Sequence, residues 1–185
     1  MSSSSVEFPD PTLSYFEVLS VPVSVDDATL SAAFRKLSRQ FHPDRFASAD
    51  DAIQNEALAA SALLTSAHRT LADPFERAEY LLKITRGWKP DDARKVQPPP
   101  ALFARVLEIQ ELVSDYSDGD ESLREELVEA RAESAAQYDA YKAELLALFA
   151  RYDAGDTEAA LDEITQIASL RGYPRRVLTN IDAVL

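Results

Sequence analysis

The sequence predicts an all-α protein in two parts, an N-terminal helical hairpin and a C-terminal helical bundle. Only four of the 185 residues are glycine, whereas strands joined by tight turns usually need more. Alanine, leucine and glutamate, which favour helices, dominate the chain after residue 50. Apolar residues also recur at intervals of three and four, as on the buried face of an amphipathic helix.

The first long helix is predicted to follow a short apolar segment, residues 12–19, that could form two helical turns. Asp26 and Asp27 should begin it, because short acidic side chains cap free amides and favour the positive end of the helix dipole. Pro43 should end it, since the residue before a proline disfavours the helical conformation. Its apolar stripe consists of Leu30, Phe34, Leu37 and Phe41.

A second long helix is predicted over residues 52–71 and a shorter one over residues 75–84, separated by Asp73-Pro74. Proline is favoured in the first turn of a new helix. The two long helices, antiparallel across a loop, would form a hairpin with small residues on its inner face. The apolar side of the second helix consists of Ile53, Ala57, Ala60, Leu64, Ala67 and Leu71.

Residues 86–100 are predicted to connect two domains, residues 12–85 and residues 101–185. Gly87, Trp88, Pro90 and the three prolines that end at Pro100 would interrupt a helix. Beyond this segment helical patterns return, broken by turns at Gly119 and Gly155. Three or four helices with such short links should pack antiparallel. The patterns cover residues 101–116, 120–152, 156–170 and 174–185.

Charge and composition exclude several classes of function. The formal net charge of −13 should repel nucleic acid and anionic lipid. The chain has no cysteine and only two histidines, which argues against disulfides, zinc sites and direct ligation of an iron–sulfur cluster. We therefore expect no nucleic-acid or membrane partner, no bound metal and no cofactor.

The first ten residues are serine-rich and lack the basic segment and apolar stretch of a secretion signal. No run of about 18 apolar residues occurs, so no transmembrane helix is expected. The expected location is the cytoplasm.

The tripeptide His42-Pro43-Asp44 lies in the loop between the two long helices. Pro43 should fix the chain direction so that His42 and Asp44 project from a short turn. Asp44 could then accept a bidentate bond from an arginine of a partner. A catalytic histidine would need an orienting group, a nucleophile and a pocket, which an exposed loop does not offer. No nucleotide-binding or hydrolase motif is present either, so no enzyme and no catalytic residue is predicted.

Basic residues surround this loop on an otherwise acidic chain. Arg35, Lys36 and Arg39 lie on the predicted helix away from its apolar stripe, and Arg45 follows the tripeptide. Residues 30–45 carry a net charge of +3, against −13 for the whole chain. The basic residues are either a docking surface for an acidic partner or simply a solvated helix face.

An amphipathic helix followed by this tripeptide resembles the J-domain, and three stretches resemble the HscB family of J-proteins in iron–sulfur cluster assembly. The first is residues 41–47, and the second is residues 77–82 after Asp73-Pro74. The third is the Pro98-Pro99 segment that leads to Leu102-Phe103. The resemblance extends from about residue 12 to the end of the chain, and its motifs are most specific in the N-terminal part.

The resemblance implies a J-domain hairpin joined to a C-terminal three-helix bundle. It also implies a co-chaperone that stimulates the ATPase of a DnaK/HscA-type chaperone and delivers to it an iron–sulfur scaffold protein of the IscU type. The implied chaperone-binding residues are His42, Pro43, Asp44, Arg35, Lys36, Arg39 and Arg45. The implied scaffold-binding residues are Leu102, Phe103, Leu107, Glu108, Glu111 and Tyr173.

Some features depart from the family pattern or leave alternatives open. Arg45 stands where lysine is commoner, Ala104 where a second bulky apolar residue is frequent, and the N-terminal cysteine-pair zinc module of some members is absent. His68 falls where J-domains usually have an aromatic residue. The leucines near residue 105 could be bundle core and the glutamates solvated surface. The chain could also be a general J-protein with another client, or a helical enzyme.

Overall fold

The structure is a computed structural model that describes residues 7–185, apart from the side chains of residues 90, 94 and 95. No strand occurs among these residues, which confirms the all-α fold class. Three short 3₁₀ turns lie at Pro43–Phe46, Pro90–Lys95 and Glu121–Leu123. The α-helices of the described chain are α1 (Tyr15–Leu19), α2 (Asp27–Gln40), α3 (Asp51–Ala72), α4 (Pro74–Arg86), α5 (Pro100–Ser117), α6 (Arg124–Asp153), α7 (Thr157–Leu170) and α8 (Gly172–Asp182).

The chain divides into two compact units, the first ending at Tyr80 and the second covering Leu81–Leu185. The division falls within α4. The functional limits expected from the sequence, residues 12–85 and residues 101–185 with a connecting segment between them, stay predictions. No helix in the described part of the chain combines the length and the apolar character needed to cross a membrane.

The first unit is built on the predicted pair of long helices, with α1 and α2 both packed against α3. The inner face of α3 consists of small and apolar residues as predicted, although Ile53 is only half-buried. The predicted apolar stripe of α2 is only partly in the core: Leu30 is buried, while Phe34 and Leu37 remain partly exposed. Asp26 caps α2 as predicted, since its carboxylate accepts a hydrogen bond from the Thr29 amide at 2.8 Å.

A buried arginine on α4 joins three segments of this unit. Arg77 is only 1% exposed. Its Nε donates to the Leu71 carbonyl near the end of α3 at 2.7 Å. Its Nη1 donates to the carbonyls of Val23 and Val25, between α1 and α2, at 3.1 and 2.8 Å. These bonds fix the α1–α2 connection against the end of α3.

Burial lowers the pKa of Arg77, while the negative charges of Asp27 and Asp73 raise it. An arginine nevertheless stays protonated, because its ordinary pKa lies far above neutral pH. The core of the first unit therefore contains a cation that donates to three backbone carbonyls. Two of these, the carbonyls of Val23 and Val25, lie outside the helices.

Helix α1 is held by a pair of tyrosines. The Tyr15 amide donates to the Tyr80 hydroxyl oxygen at 2.9 Å, and the two rings stack with centroids 4.4 Å apart. Ser14 and Glu17 form a reciprocal capping box at the helix start. This cap makes α1 begin at Tyr15, three residues after the start of the predicted segment.

The second unit is a bundle in which α6 packs against α7 and α8, and α5 packs against α8 and α6. Its 30-residue α6 is about 45 Å long. This helix starts at Arg124, later than predicted, because Glu121–Leu123 form a 3₁₀ turn. Gly119 and Gly155 have φ values of 111° and 100°, a conformation that favours glycine at both predicted turns. One core cluster of the unit contains Val106, Ile109, Leu127, Ala130, Val177 and Ile181.

Replacing Arg77 by alanine should reduce the free energy of unfolding of the first unit by about 3 kcal/mol or more, because buried carbonyls lose their donors and a large side-chain volume is left empty. Urea unfolding followed by circular dichroism measures the change. Arg69→Ala, at an exposed position of α3, serves as the control and should change stability little. Equal stability of the two variants would show that Arg77 does not hold the unit together.

Candidate functional site

The His42-Pro43-Asp44 tripeptide lies in an exposed turn, as predicted. Helix α2 ends at Gln40, and His42 is extended, with φ −62° and ψ 130°, before the 3₁₀ turn Pro43–Phe46. The Asp44 amide donates to His42 Nδ1 at 3.3 Å, and the Arg45 amide donates to the His42 carbonyl at 3.0 Å. Since the Asp44 side chain is 90% exposed, its carboxylate is accessible to a partner.

Next to this turn, α2 and the turn enclose a shallow concavity. Three of its side chains are arginines and none is acidic, so its surface favours an acidic partner. The apolar part of the lining, which we call the floor, is the half-buried ring of Phe34. This ring stacks on His68 of α3 with centroids 4.4 Å apart. The concavity is lined by Phe34, Arg35, Ser38, Arg39, His42 and Arg45.

The structure does not bring all of the predicted docking residues together. Lys36 is exposed but lines a separate depression with Leu19, Thr29 and Leu37. It lies one residue after Arg35 and therefore about 100° further around α2. Pro43 is half-buried and shapes the turn. Phe34 was expected to belong to the core stripe, and its place in the floor could not be read from helical spacing alone.

A second candidate surface lies on α5. Phe103 is 51% exposed and Leu107 is 45% exposed. Because they are four residues apart, they share one face of the helix. Glu111, one further turn along, is also exposed. Leu107 is therefore not part of the bundle core, which was the alternative interpretation of this leucine.

The other predicted residues of this surface have different environments. Leu102 and Tyr173 are half-buried and pack against the core cluster of α5, α6 and α8. Glu108 is exposed but is bound to Arg105, whose Nη1 lies 3.3 Å from Glu108 Oε2. The same guanidinium bonds to Glu133 Oε2 at 2.8 Å, and these hydrogen bonds, that of Glu133 first, raise the pKa of Arg105. Glu108 is thus already engaged in an ion-pair network on its own surface.

No catalytic or metal arrangement is evident at either surface. His42 and Asp44 contact each other across 3.6 Å in an open turn, without a buried group to orient them. Across the part of the chain that the structure describes, no cluster of three or more His, Asp or Glu side chains is placed to hold a metal ion.

Comparisons with known proteins identify a family for the N-terminal part and find relatives that align with most of the chain. Residues 14–80 match the DnaJ domain family. A co-chaperone protein HscB homolog from Cupriavidus taiwanensis is 36% identical over 160 residues, which cover 83% of this chain and 85% of the relative. A homolog of the same name from Burkholderia multivorans is 32% identical over 173 residues, which cover 91% of this chain and 94% of the relative.

Two solved structures are similar in fold. The chaperone HscB from Vibrio cholerae has a TM-score of 0.64 and 25% identity, with 93% of this chain and 97% of that one covered. The human co-chaperone protein HscB has a TM-score of 0.74 at 21% identity, with 98% of this chain and 86% of that one covered. The second likeness concerns the fold alone.

Proposed function

Because the chain belongs to the HscB family of J-domain co-chaperones, we propose that it binds an iron–sulfur scaffold protein of the IscU type. It then delivers the scaffold to a DnaK/HscA-type chaperone and stimulates the chaperone's ATPase. The observation that carries the proposal is the exposed His42-Pro43-Asp44 turn beside a concavity lined by three arginines.

The chaperone is proposed to dock on the first unit through charge and through the turn. Arg35, Arg39 and Arg45 present cations around an apolar floor, which suits an acidic surface with an apolar centre. Asp44 supplies an exposed carboxylate that an arginine of the chaperone could bind in a bidentate manner. Lys36, at the edge, contributes to the same positive field rather than to the concavity.

The scaffold is proposed to dock on the second unit through α5. Phe103 and Leu107 provide an exposed apolar face, and such a face concentrates binding energy in a few side chains. Glu111 provides an acidic rim for basic residues of the scaffold, and Glu108, although paired with Arg105, adds negative charge beside it. Leu102 and Tyr173, packed on the core cluster, support this face and leave part of each side chain accessible.

The chain then acts as an adaptor and not as an enzyme. Holding both partners on one chain raises their effective concentration, so that modest individual affinities suffice. The chaperone supplies all of the groups that hydrolyse ATP, and the co-chaperone contributes binding energy to the hydrolysis-competent conformation. In the cytoplasm, this would link cluster transfer from the scaffold to ATP turnover.

Replacing His42 by glutamine should abolish stimulation of the chaperone's ATPase and leave the fold intact. The side chain is 56% exposed, so its loss removes little packing. Single-turnover ATP hydrolysis and a thermal melting curve test the two statements separately. The matched control is Glu144→Gln, at an exposed position of α6. Normal stimulation by the His42 variant, or a large drop in its melting temperature, would contradict the docking role.

The double variant Phe103→Ala and Leu107→Ala should weaken scaffold binding by about tenfold or more, which corresponds to about 1.4 kcal/mol. It should stay folded, because both side chains are exposed, and it should still stimulate the ATPase in the absence of scaffold. Isothermal titration calorimetry with purified scaffold measures the affinity.

The control for this experiment is the double variant Val128→Ala and Leu146→Ala. These residues of α6 are exposed to a similar extent, 45% and 49%, so the control removes comparable apolar surface elsewhere on the bundle. Equal affinity of parent and test variant, or equal weakening in the control, would show that α5 is not the binding face. A parent chain that does not bind the scaffold at all would favour another client.

A further inference from the structure

An aromatic side chain from the N-terminal segment packs on both flanks of the tripeptide turn. The Phe8 ring lies 5.5 Å from the Phe41 ring and 5.3 Å from the Phe46 ring, measured between centroids, with interplanar angles of 42° and 53°. Phe41 immediately precedes His42, and Phe46 immediately follows Arg45. The three rings therefore form an aromatic clasp, defined as Phe8, Phe41 and Phe46, that closes the turn at its base.

The segment that carries Phe8 is restricted by its prolines and by a local hydrogen-bonded turn. Pro9 and Pro11 restrict the backbone on either side of Asp10. The Asp10 carboxylate accepts hydrogen bonds from the Thr12 amide at 2.8 Å and from the Thr12 hydroxyl at 2.7 Å, and these bonds lower the pKa of Asp10. The segment then enters α1, which Tyr80 holds through Tyr15. Local contacts thus restrict the segment, and the Phe8 ring itself packs on Phe41 and Phe46.

The two ends of the turn are anchored by different contacts, and the residue between them is less buried. Phe41 is buried at 4% exposure, so the side that adjoins α2 is anchored in the core. On the other side, the Gln54 amide group of α3 donates to the Ala49 carbonyl at 2.8 Å. Phe46, between these anchors, is only half-buried. Phe8 is the ring that covers Phe46, and aromatic pairs at such distances stabilise each other beyond simple burial.

We propose that Phe8 is a positioning residue for stimulation of the chaperone, because its contacts with Phe41 and Phe46 hold the His42-Pro43-Asp44 turn in the conformation that docks. The inference rests on the proposed function of that turn. Phe8 lies outside residues 14–80, which match the DnaJ domain family, so the clasp adds to the J-domain a contact from a preceding segment.

A positioning role has a kinetic consequence that differs from a docking role. Loss of Phe8 should reduce the fraction of molecules whose turn has the docking conformation. The apparent dissociation constant for the chaperone then rises in inverse proportion to that fraction. At saturating co-chaperone every bound molecule has the competent turn, so the maximal rate of ATP hydrolysis is unchanged. Loss of His42, which touches the chaperone itself, should reduce the maximal rate.

The experiment uses the full chain and measures ATP hydrolysis by the chaperone as a function of co-chaperone concentration. Phe8→Ala should raise the concentration for half-maximal stimulation by about threefold or more, the effect expected from losing two aromatic contacts. Phe8→Tyr, which keeps the ring, should restore it. Leu13→Ala is the matched control, since Leu13 is an apolar residue of the same segment, 43% exposed and outside the clasp.

A second measurement needs no chaperone. Amide hydrogen exchange by NMR should show faster exchange in Phe8→Ala at Arg45 and Ala49, whose amides donate within the turn to His42 and Phe46. Exchange at buried helical positions of the first unit, such as Leu64 and Leu71 of α3, should not change. This comparison separates local loosening of the turn from general destabilisation, in which protected amides throughout the first unit would also exchange faster.

The outcomes distinguish the inference from the function on which it rests. A parent chain that does not stimulate the ATPase contradicts the proposed function, and the positioning role with it. Stimulation by the parent with the same half-maximal concentration for Phe8→Ala overturns the positioning role alone. The positioning role is also overturned by a reduced maximal rate without a shift in the half-maximal concentration. A defect that Phe8→Tyr does not restore would overturn it as well.

Discussion

The buried guanidinium of Arg77 is the interaction on which the arrangement of the first unit depends. It reaches from α4 to the end of α3 and to the connection between α1 and α2. An arginine in the core is costly unless its donors are satisfied, so these carbonyls must lie where the guanidinium can meet them. The start of α2 is thereby fixed against α3, and α2 in turn carries the basic residues and leads into the tripeptide turn. A cation in the core therefore holds the helix that presents the proposed docking surface.

The two proposed binding surfaces use opposite chemistry. The concavity beside the turn combines an apolar floor with three arginines, on a chain whose formal net charge is −13. The face of α5 combines two exposed apolar side chains with glutamates. On the proposed assignment, the charge around each surface disfavours the partner that suits the other, so chaperone and scaffold would not exchange places. Such discrimination requires no contact between the partners.

The sequence predicted the helices well, because helix positions follow from local spacing, proline and capping residues. It also placed His42 and Asp44 in an exposed turn, since Pro43 determines the local chain direction. It did not reveal the burial of Arg77, because arginine is normally a surface residue and two of its carbonyl partners lie about 50 residues earlier in the chain. Phe8 was missed for a similar reason, since its partners lie more than 30 residues later. Helical spacing puts Arg35 and Lys36 about 100° apart on α2, but it could not show which depression each residue lines. It also could not decide whether Leu107 was core or surface. The roles of these residues in binding stay predictions.

If one chain presents a scaffold to a chaperone, the chain and the scaffold should act together on ATP turnover. ATP turnover by the chaperone should be measured while scaffold is titrated, with and without a fixed, subsaturating amount of the chain. If the chain tethers both partners, it should lower the scaffold concentration for half-maximal turnover by about tenfold or more. A scaffold titration whose midpoint does not change when the chain is added would contradict delivery, even if the chain alone stimulated the ATPase.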